Sequence, residues 1–446
     1  MTEFPKHIFR SYDIRGLLEE VTPDIARAVG TAVVGRTQAK TVVVGRDMRS
    51  TSEVLQRAAI EGVIAMGANA VDVGLCSTSM FNFAVSSQTR VDAGIMITAS
   101  HNPPQYNGIK AADHTGMPFS GVELLELIEQ GSASAQERGT VSKYDVTEAY
   151  VDRCVEGMDV DVSTAKLVID YGNGMGALSM RPLCERLGLK PIELFPDLDA
   201  RFPNHEPNPA VEKNLDALKA AVVRERADFG VALDGDADRI GFVDDEGHAY
   251  RGDQILALLA SDVLVREPGA KIVVAPNQSW SVFEAIAKGG GEAVKTKIGR
   301  TNAIRAMAAH GAALGGEVSG HFFFRKFARL EAVDYAFARV LGMWKRSGKT
   351  FSELMAPQRV YHNTWEVNLE IHDKERAIKA IQEQYASGAS VVDRLDGIRC
   401  EFGHDWWFIV RPSNTEPLIR LIVEATDESF MARKCDELVA LIKRHA

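Results

Sequence analysis

Apolar and polar positions alternate in blocks along most of this 446-residue chain. Short β-branched runs bounded by glycine, Thr41-Val42-Val43-Val44-Gly45 and Ala70-Val71-Asp72-Val73-Gly74, predict buried strands. Pro23 to Val34, Ser50 to Met66 and Thr78 to Ser86 carry helical spacing, and Ala93 to Ile97 predicts a third strand. Strands alternating with helices in this way predict a parallel sheet. The pattern restarts at Lys166 to Asp170, a strand entering a glycine-rich turn and a helix, and continues through helix-spaced Leu215, Leu218, Ala221 and Val222 to the strand Asp228 to Leu233. A third α/β unit follows, with Gln254 to Val265 helical, Lys271 to Pro276 a strand, a helix from Trp280 and the segment Ala293 to Arg300. Beyond Leu354 the period changes. Thr364 to Ile371 alternates strictly, a polar helix runs to Tyr385, and Ile398 to Phe402, Trp406 to Val410 and Leu418 to Glu424 predict further strands before an amphipathic helix from Glu428. This last module reads as α+β with an antiparallel sheet.

Length allows about three or four domains. With 46% apolar and 25% charged residues the composition is that of a globular protein, and the formal net charge of −10 argues against nucleic acid as a partner. Five scattered cysteines without a CxxC pair predict reduced thiols. The N-terminus lacks a signal-peptide pattern and no apolar run reaches about 18 residues, so no membrane partner and a cytoplasmic location are expected.

Candidate chemistry sits where apolar runs end. Ala93 to Ile97 runs into Thr98-Ala99-Ser100-His101-Asn102-Pro103, which puts Ser100 on a loop at the edge of a buried sheet, the usual place for sites in open α/β folds. The following run, Asn102 to Ile109, is rich in turn formers and predicts a compact loop that returns Lys110 to Ser100 and His101. Strand Asp228 to Leu233 ends at Asp234-Gly235-Asp236-Ala237-Asp238-Arg239, whose three alternate carboxylates can converge on one hard cation. An EF-hand is excluded, because Arg239 stands where that loop needs glycine and Asp245 where it needs glutamate. A plain acidic loop is the competing structural reading, but three aspartates at the end of a buried strand repel one another unless a cation intervenes. In Gly315-Gly316-Glu317-Val318-Ser319-Gly320-His321 the polar residues alternate, so an extended loop would turn Glu317, Ser319 and His321 one way, suited to sugar hydroxyls. Arg411, Ser413, Asn414, Thr415 and Arg420 gather charge and donors suited to a phosphate monoester. Near the start, Tyr12 and Arg15 fit either a solvated turn or a basic lip over an anion site. Gly172 to Gly176 does not match the dinucleotide fingerprint, so no nucleotide is predicted.

Taken together, the four motifs in this order resemble the α-D-phosphohexomutase superfamily, most closely its phosphomannomutase/phosphoglucomutase branch, along essentially the whole chain. Thr98 to Pro103 is similar to the family's phosphoserine loop, Asp234 to Arg239 to its magnesium loop, Gly316 to His321 to its sugar loop and Arg411 to Thr415 to its phosphate loop. The resemblance implies four domains around a central cleft, three of similar α/β design with mixed, mainly parallel sheets and a smaller C-terminal α+β domain, at 1–148, 149–250, 251–360 and 361–446. It implies interconversion of hexose 1-phosphate and hexose 6-phosphate, of mannose or glucose, through a phosphoserine at Ser100 and a hexose 1,6-bisphosphate intermediate. On the same basis Mg2+ would be held by Asp234, Asp236, Asp238 and Ser100. Arg239 would face the moving phosphoryl group, with His101, Lys110 and His321 the candidates for proton transfer. Tyr12, Arg15, Arg300, Glu317, Ser319, Arg411, Ser413, Asn414, Thr415 and Arg420 would bind the sugar phosphate. Arg300 departs from the histidine of some bifunctional members, and Asn277-Gln278-Ser279 from a lysine-bearing segment. The alternatives are a phosphoglucosamine mutase, whose sugar loop more often carries glutamine in place of Val318, and a metal-dependent sugar phosphatase, which needs no distal phosphate clamp.

Overall fold

The computed structural model describes residues 4–87, 90–131, 135–371, 373–413 and 418–444. Two compact units emerge, one made of Met1–Ala249 with Gly320–Phe351 and the other of Tyr250–Ser319 with Ser352–Ala446.

The first unit opens on a seven-stranded sheet formed by β1 (Ile14–Leu17), β2 (Thr41–Arg46), β3 (Asn69–Leu75), β4 (Ala93–Ile97), β5 (Tyr106–Asp113), β6 (Pro118–Phe119) and β7 (Val141–Lys143), in the order β1-β5-β4-β2-β3-β7 with β6 beside β5. The β-branched runs β2 and β4 lie at its centre, parallel to each other and buried. The sheet is mixed and mainly parallel at its centre, as expected, and at one edge β5 returns antiparallel to β4 while β1 pairs antiparallel with β5. This return corrects the expected loop before Lys110. Despite its turn-forming residues, Tyr106–Asp113 is a strand, because Asn107 faces inward and spends its side-chain amide on Thr51 and Ser52. Two helices, Pro23–Thr37 and Ser52–Ala65, cover one face. They cross so tightly that a Cβ at Gly30 would lie 2.3 Å from the Ala59 carbonyl oxygen and one at Gly62 2.1 Å from that of Arg27.

A second, five-stranded sheet comprises β8 (Leu167–Asp170), β9 (Ile192–Leu194), β10 (Phe229–Leu233), β11 (Ile240–Asp244) and β12 (Ala249–Tyr250), ordered β12-β11-β10-β8-β9. Parallel pairing joins β10 to β8 and β8 to β9, whereas β10 and β11 form an antiparallel hairpin whose closing pair is Leu233 and Ile240. The aspartate loop is therefore a hairpin connection. Helix Val333–Ser347, with Phe337 and Trp344, packs against this sheet through a stack of Phe229, Phe242 and Phe351.

In the second unit strands Lys271–Val274, Glu292–Lys295 and Leu314–Gly316 are parallel, alternating with helices Trp280–Lys288 and Arg300–His310. The C-terminal segment forms an antiparallel sheet containing Val367–Glu370, Ile398–Phe402, Trp406–Pro412 and Leu418–Ala425. Helices Lys374–Tyr385 and Glu428–Arg444 contribute to its core. A buried polar joint ties the parallel and antiparallel parts together. Arg399 donates to the carbonyls of Pro276 and Gln278 and stacks 3.7 Å from the Trp407 ring, while Glu424 accepts from the Trp407 indole and the Trp280 amide. The segment Asn277-Gln278-Ser279 is thereby committed to structure. Among the described residues no helix is long and apolar enough to cross a membrane.

Candidate active site

In the first unit the end of β4, the strand β5 and the β10–β11 hairpin converge. Ser100 follows β4 in a left-handed conformation, φ 52°, and its amide is tied to the Thr98 hydroxyl at 2.9 Å. The Ser100 hydroxyl donates to Asp234 Oδ2 at 2.9 Å and lies 3.2 Å from Nδ1 of His101. The two loops touch backbone to backbone. A Cβ at Gly235 would stand 2.5 Å from the Ser100 carbonyl oxygen, so only glycine permits this approach.

The three aspartates are buried, and one oxygen from each lies within 4.8 Å of the others. Asp234 closes the hairpin by accepting from the amides of Asp238 and Arg239. Asp236 accepts from the hydroxyls of Thr78, at the start of helix Thr78–Ser87, and Thr98. Their mutual repulsion is met within the protein. Lys110, on β5, places its Nζ 2.8 Å from Asp236 Oδ2 and 2.7 Å from Asp238 Oδ2. Burial works against charge on all three, yet Lys110 holds Asp236 well below the ordinary carboxylate range. Asp234 has a more distant cation, Arg239 Nε at 4.0 Å from Oδ2. Burial, with the charges of Asp238 and Asp236, pushes its carboxyl well upward.

These residues fit a hard divalent cation. Among the described residues Asp236 Oδ1 and Asp238 Oδ1 are buried with no hydrogen-bond partner, the latter 3.5 Å from His321 Nδ1, and the donor set is entirely oxygen. Ser100 adds a fourth oxygen beside Asp234.

Around the cluster, Arg239 donates through Nε to His321 Nε2 at 3.0 Å and through a terminal nitrogen to Asn208 Oδ1 at 3.3 Å. The His321 Nδ1 faces the Asp238 carbonyl at 2.9 Å, so this ring nitrogen carries the proton and Nε2 accepts. His321 thus supports Arg239. Burial, reinforced by Arg239 and Arg15, pushes the His101 imidazole well below its usual value and keeps it neutral. Arg15, on β1, reaches Asn102 Oδ1 and Asp13 at 2.5 Å each, which places it on the serine loop, while Tyr12 beside it is exposed. Lys110 meets Asp236 and Asp238, where the turn-rich reading had expected Ser100 and His101.

The remaining expected residues belong to the second unit. Glu317 accepts from the Gly299 amide at 3.0 Å, and Ser319 donates to its other oxygen at 3.4 Å. Arg300 starts the helix that follows Gly299. The extended run expected through residue 321 is corrected to a turn at 318–319 followed by Gly320 at φ 91°. Arg420 and Arg411 share the carboxylate of Glu366 at 3.0 and 3.6 Å, and the Ser413 carbonyl accepts from Lys374. Asn414 and Thr415 lie outside the described residues. Sequence pattern pointed to neither Asn208 nor Glu366, since a single polar residue in a proline-rich run or just ahead of the strand Val367–Glu370 carries no chemical signature.

Four family models match the chain in succession. Three are the phosphoglucomutase/phosphomannomutase alpha/beta/alpha domains I, II and III, over residues 6–138, 148–247 and 251–361, and the fourth is the C-terminal domain, over 366–441. The chain belongs to the phosphoglucomutase/phosphomannomutase family. A phosphomannomutase of Escherichia coli is 34% identical over 452 residues, covering 98% of this chain and 99% of its own. A phosphoglucomutase of Neisseria gonorrhoeae is 34% identical over 458 residues, covering 99% and 98%. A solved family protein from Burkholderia thailandensis superimposes with a TM-score of 0.89 at 33% identity, covering 99% of this chain and 98% of its own. This phosphoglucomutase/phosphomannomutase family member is a mutase with three α/β domains and a C-terminal domain, and the phosphatase and phosphoglucosamine alternatives are not favoured.

Proposed function

We propose that the protein is a cytoplasmic phosphohexomutase that interconverts the 1- and 6-phosphates of mannose and glucose, with Ser100 as the phosphorylated residue. The observation that carries this reading is the Ser100 hydroxyl 2.9 Å from Asp234, at the edge of a three-carboxylate cluster in which, among the described residues, two buried oxygens have no hydrogen-bond partner. Five cysteines without a disulfide suit a reducing compartment.

Asp234, Asp236 and Asp238 would hold Mg2+ together with an oxygen of the Ser100 side chain. When bound, the ion supplies charge neutralisation for the transferring phosphoryl group. In the forward direction phosphoserine 100 gives its phosphoryl group to the free hydroxyl of a hexose 1-phosphate. The bond from phosphorus to Oγ breaks, one to sugar oxygen forms, and the sugar hydroxyl proton ends on Oγ, leaving a free Ser100 hydroxyl. The resulting hexose 1,6-bisphosphate turns over and returns its other phosphoryl group to Ser100. In that step the bond from phosphorus to the sugar oxygen breaks as one to Oγ forms, and the proton of Oγ passes through the neutral His101, whose Nδ1 lies 3.2 Å away, to the freed sugar oxygen. Arg239, aligned by His321 and Asn208, meets the phosphoryl oxygens, with Lys110 alongside on the cluster and Arg15 and Tyr12 at the serine loop. Arg411, Ser413, Asn414, Thr415 and Arg420 hold the phosphate that is not reacting. Glu317 and Ser319, with Arg300 close by in sequence, read hydroxyls presented in either orientation of the sugar.

The test is intact mass. Purified protein treated with glucose 1,6-bisphosphate is expected to gain one phosphoryl group at Ser100 and lose it to hexose phosphate. Protein that never carries the group overturns the assignment.

A further inference from the structure

Arg49 lies between β2 and helix Ser52–Ala65, and its side chain is 1% exposed. Its guanidinium faces almost nothing but backbone carbonyls of the serine loop. One terminal nitrogen donates to Pro103 O at 2.8 Å and Tyr106 O at 2.9 Å, the other to Ser100 O at 2.9 Å and Asn102 O at 2.5 Å. The Asp47 carboxylate stands 3.3 Å from Nε and also accepts from the Arg49 amide and the Ser52 hydroxyl. Ser52 in turn accepts from Asn107, so the same network anchors the first residues of β5. Over the other face of the guanidinium, the Phe202 ring centre lies 5.4 Å from Cζ.

Four carbonyl oxygens that converge on one point repel one another, and a buried carbonyl without a donor is unfavourable. Only a planar group with several donors can satisfy all four at once. Meanwhile Ser100 sits at φ 52°, a conformation that a non-glycine residue adopts only when its surroundings enforce it. The carbonyl Arg49 grips belongs to that very residue.

Resting on the reading of Ser100 as phosphoryl carrier, we propose that Arg49 is a positioning residue for phosphoryl transfer. It pulls the carbonyls of residues 100, 102, 103 and 106 inward and so holds Ser100 in its left-handed conformation, with Oγ turned to the aspartate cluster. It touches neither substrate nor the reacting oxygen. Its effect belongs to the rate of transfer rather than to sugar-phosphate affinity, because the groups proposed to bind substrate remain in place. Lysine would keep the charge but cannot present a planar fork to four acceptors.

The experiment compares wild type, Arg49→Lys and Arg49→Ala, each first confirmed folded by circular dichroism. Steady-state kcat and KM are measured with glucose 1-phosphate, and the rate of Ser100 phosphorylation by glucose 1,6-bisphosphate is followed by intact mass. Arg49→Lys is expected to lower kcat and the phosphorylation rate about 100-fold, with KM within about three-fold, as befits a reacting atom displaced by about 1 Å. Arg49→Ala is expected to regain part of its phosphorylation rate when guanidinium chloride is added at non-denaturing concentration, whereas ammonium chloride restores none. Wild-type rates in Arg49→Lys, a loss confined to KM, or equal rescue by ammonium would overturn the proposal. Should Arg49→Ala not fold, the kcat and KM of Arg49→Lys decide alone. Failure of wild type itself to acquire phosphate would overturn the reading of Ser100, an outcome distinct from a phosphorylated wild type matched by its Arg49 variants.

Discussion

Lys110, itself partly exposed, pairs closely with buried Asp238, Nζ to Oδ2 2.7 Å, and the same ammonium lies 2.8 Å from Asp236. One lysine therefore offsets much of the repulsion within the aspartate cluster. Lys110→Met leaves two buried carboxylates uncompensated, and losing one partner of such a pair destabilises by about 3 to 5 kcal/mol. Thermal melts in chelator should show this loss. Because a divalent cation can take over the neutralising role, the variant should gain more from added Mg2+ than wild type does. Equal gains would refute the account.

Metal dependence should follow the carboxylates. Asp238→Asn removes an anionic ligand but keeps the shape of the side chain, so turnover should fall by at least about 100-fold, the scale set by losing one electrostatic group that acts at developing charge. Chelator should silence wild type, and Mg2+ should restore it. Activity persisting in chelator would contradict the proposed cation site.

The carboxylate of Glu366 occupies the space between Arg411 and Arg420. An incoming phosphate competes with it for those guanidinium groups. Glu366→Gln should then lower both KM for hexose phosphate and the inhibition constant of inorganic phosphate by about two- to five-fold, the range expected for a partly exposed ion pair. A rise in both would show that Glu366 aligns the arginines for phosphate.

Asp334 provides a pH signature away from the chemistry. Burial pushes its carboxyl up to about 6, against opposing hydrogen bonds from Tyr150 and Ser179. With its folded value above its unfolded one, the contribution of this group to stability is fully present below the unfolded pKa and lost as pH rises through the folded one. The loss amounts to about 3 kcal/mol across the shift. Asp334→Asn should therefore melt increasingly above wild type as pH is raised from about 4 to 6, with the difference levelling off above about 7. A difference independent of pH would refute the assignment.

Strand positions and the aspartate loop were readable because buried runs and turn chemistry are local properties. The serine loop was readable for the same reason. Lys110 shows where local reading stops, since turn-forming residues from Asn102 to Gly108 masked a strand whose pairing with β4 is a long-range event. Alternation placed Glu317, Ser319 and His321 together, but a left-handed Gly320 breaks the period. Arg49 carries no motif at all, for its partners are carbonyls, which every sequence supplies. The repulsion among the aspartates was foreseeable, whereas relief by a lysine more than a hundred residues away required the fold.

The division of the chain has a consequence for its birth on the ribosome. The first unit is completed by Gly320–Phe351, which delivers His321 and Asp334, yet Tyr250–Ser319 of the other unit is translated in between. At roughly 5 to 20 residues per second the nascent first unit waits several seconds for its final helix. During that interval the faces of Phe229 and Phe242 that later meet Phe337, Trp344 and Phe351 lack these partners, which marks this window as the point of greatest need for a chaperone.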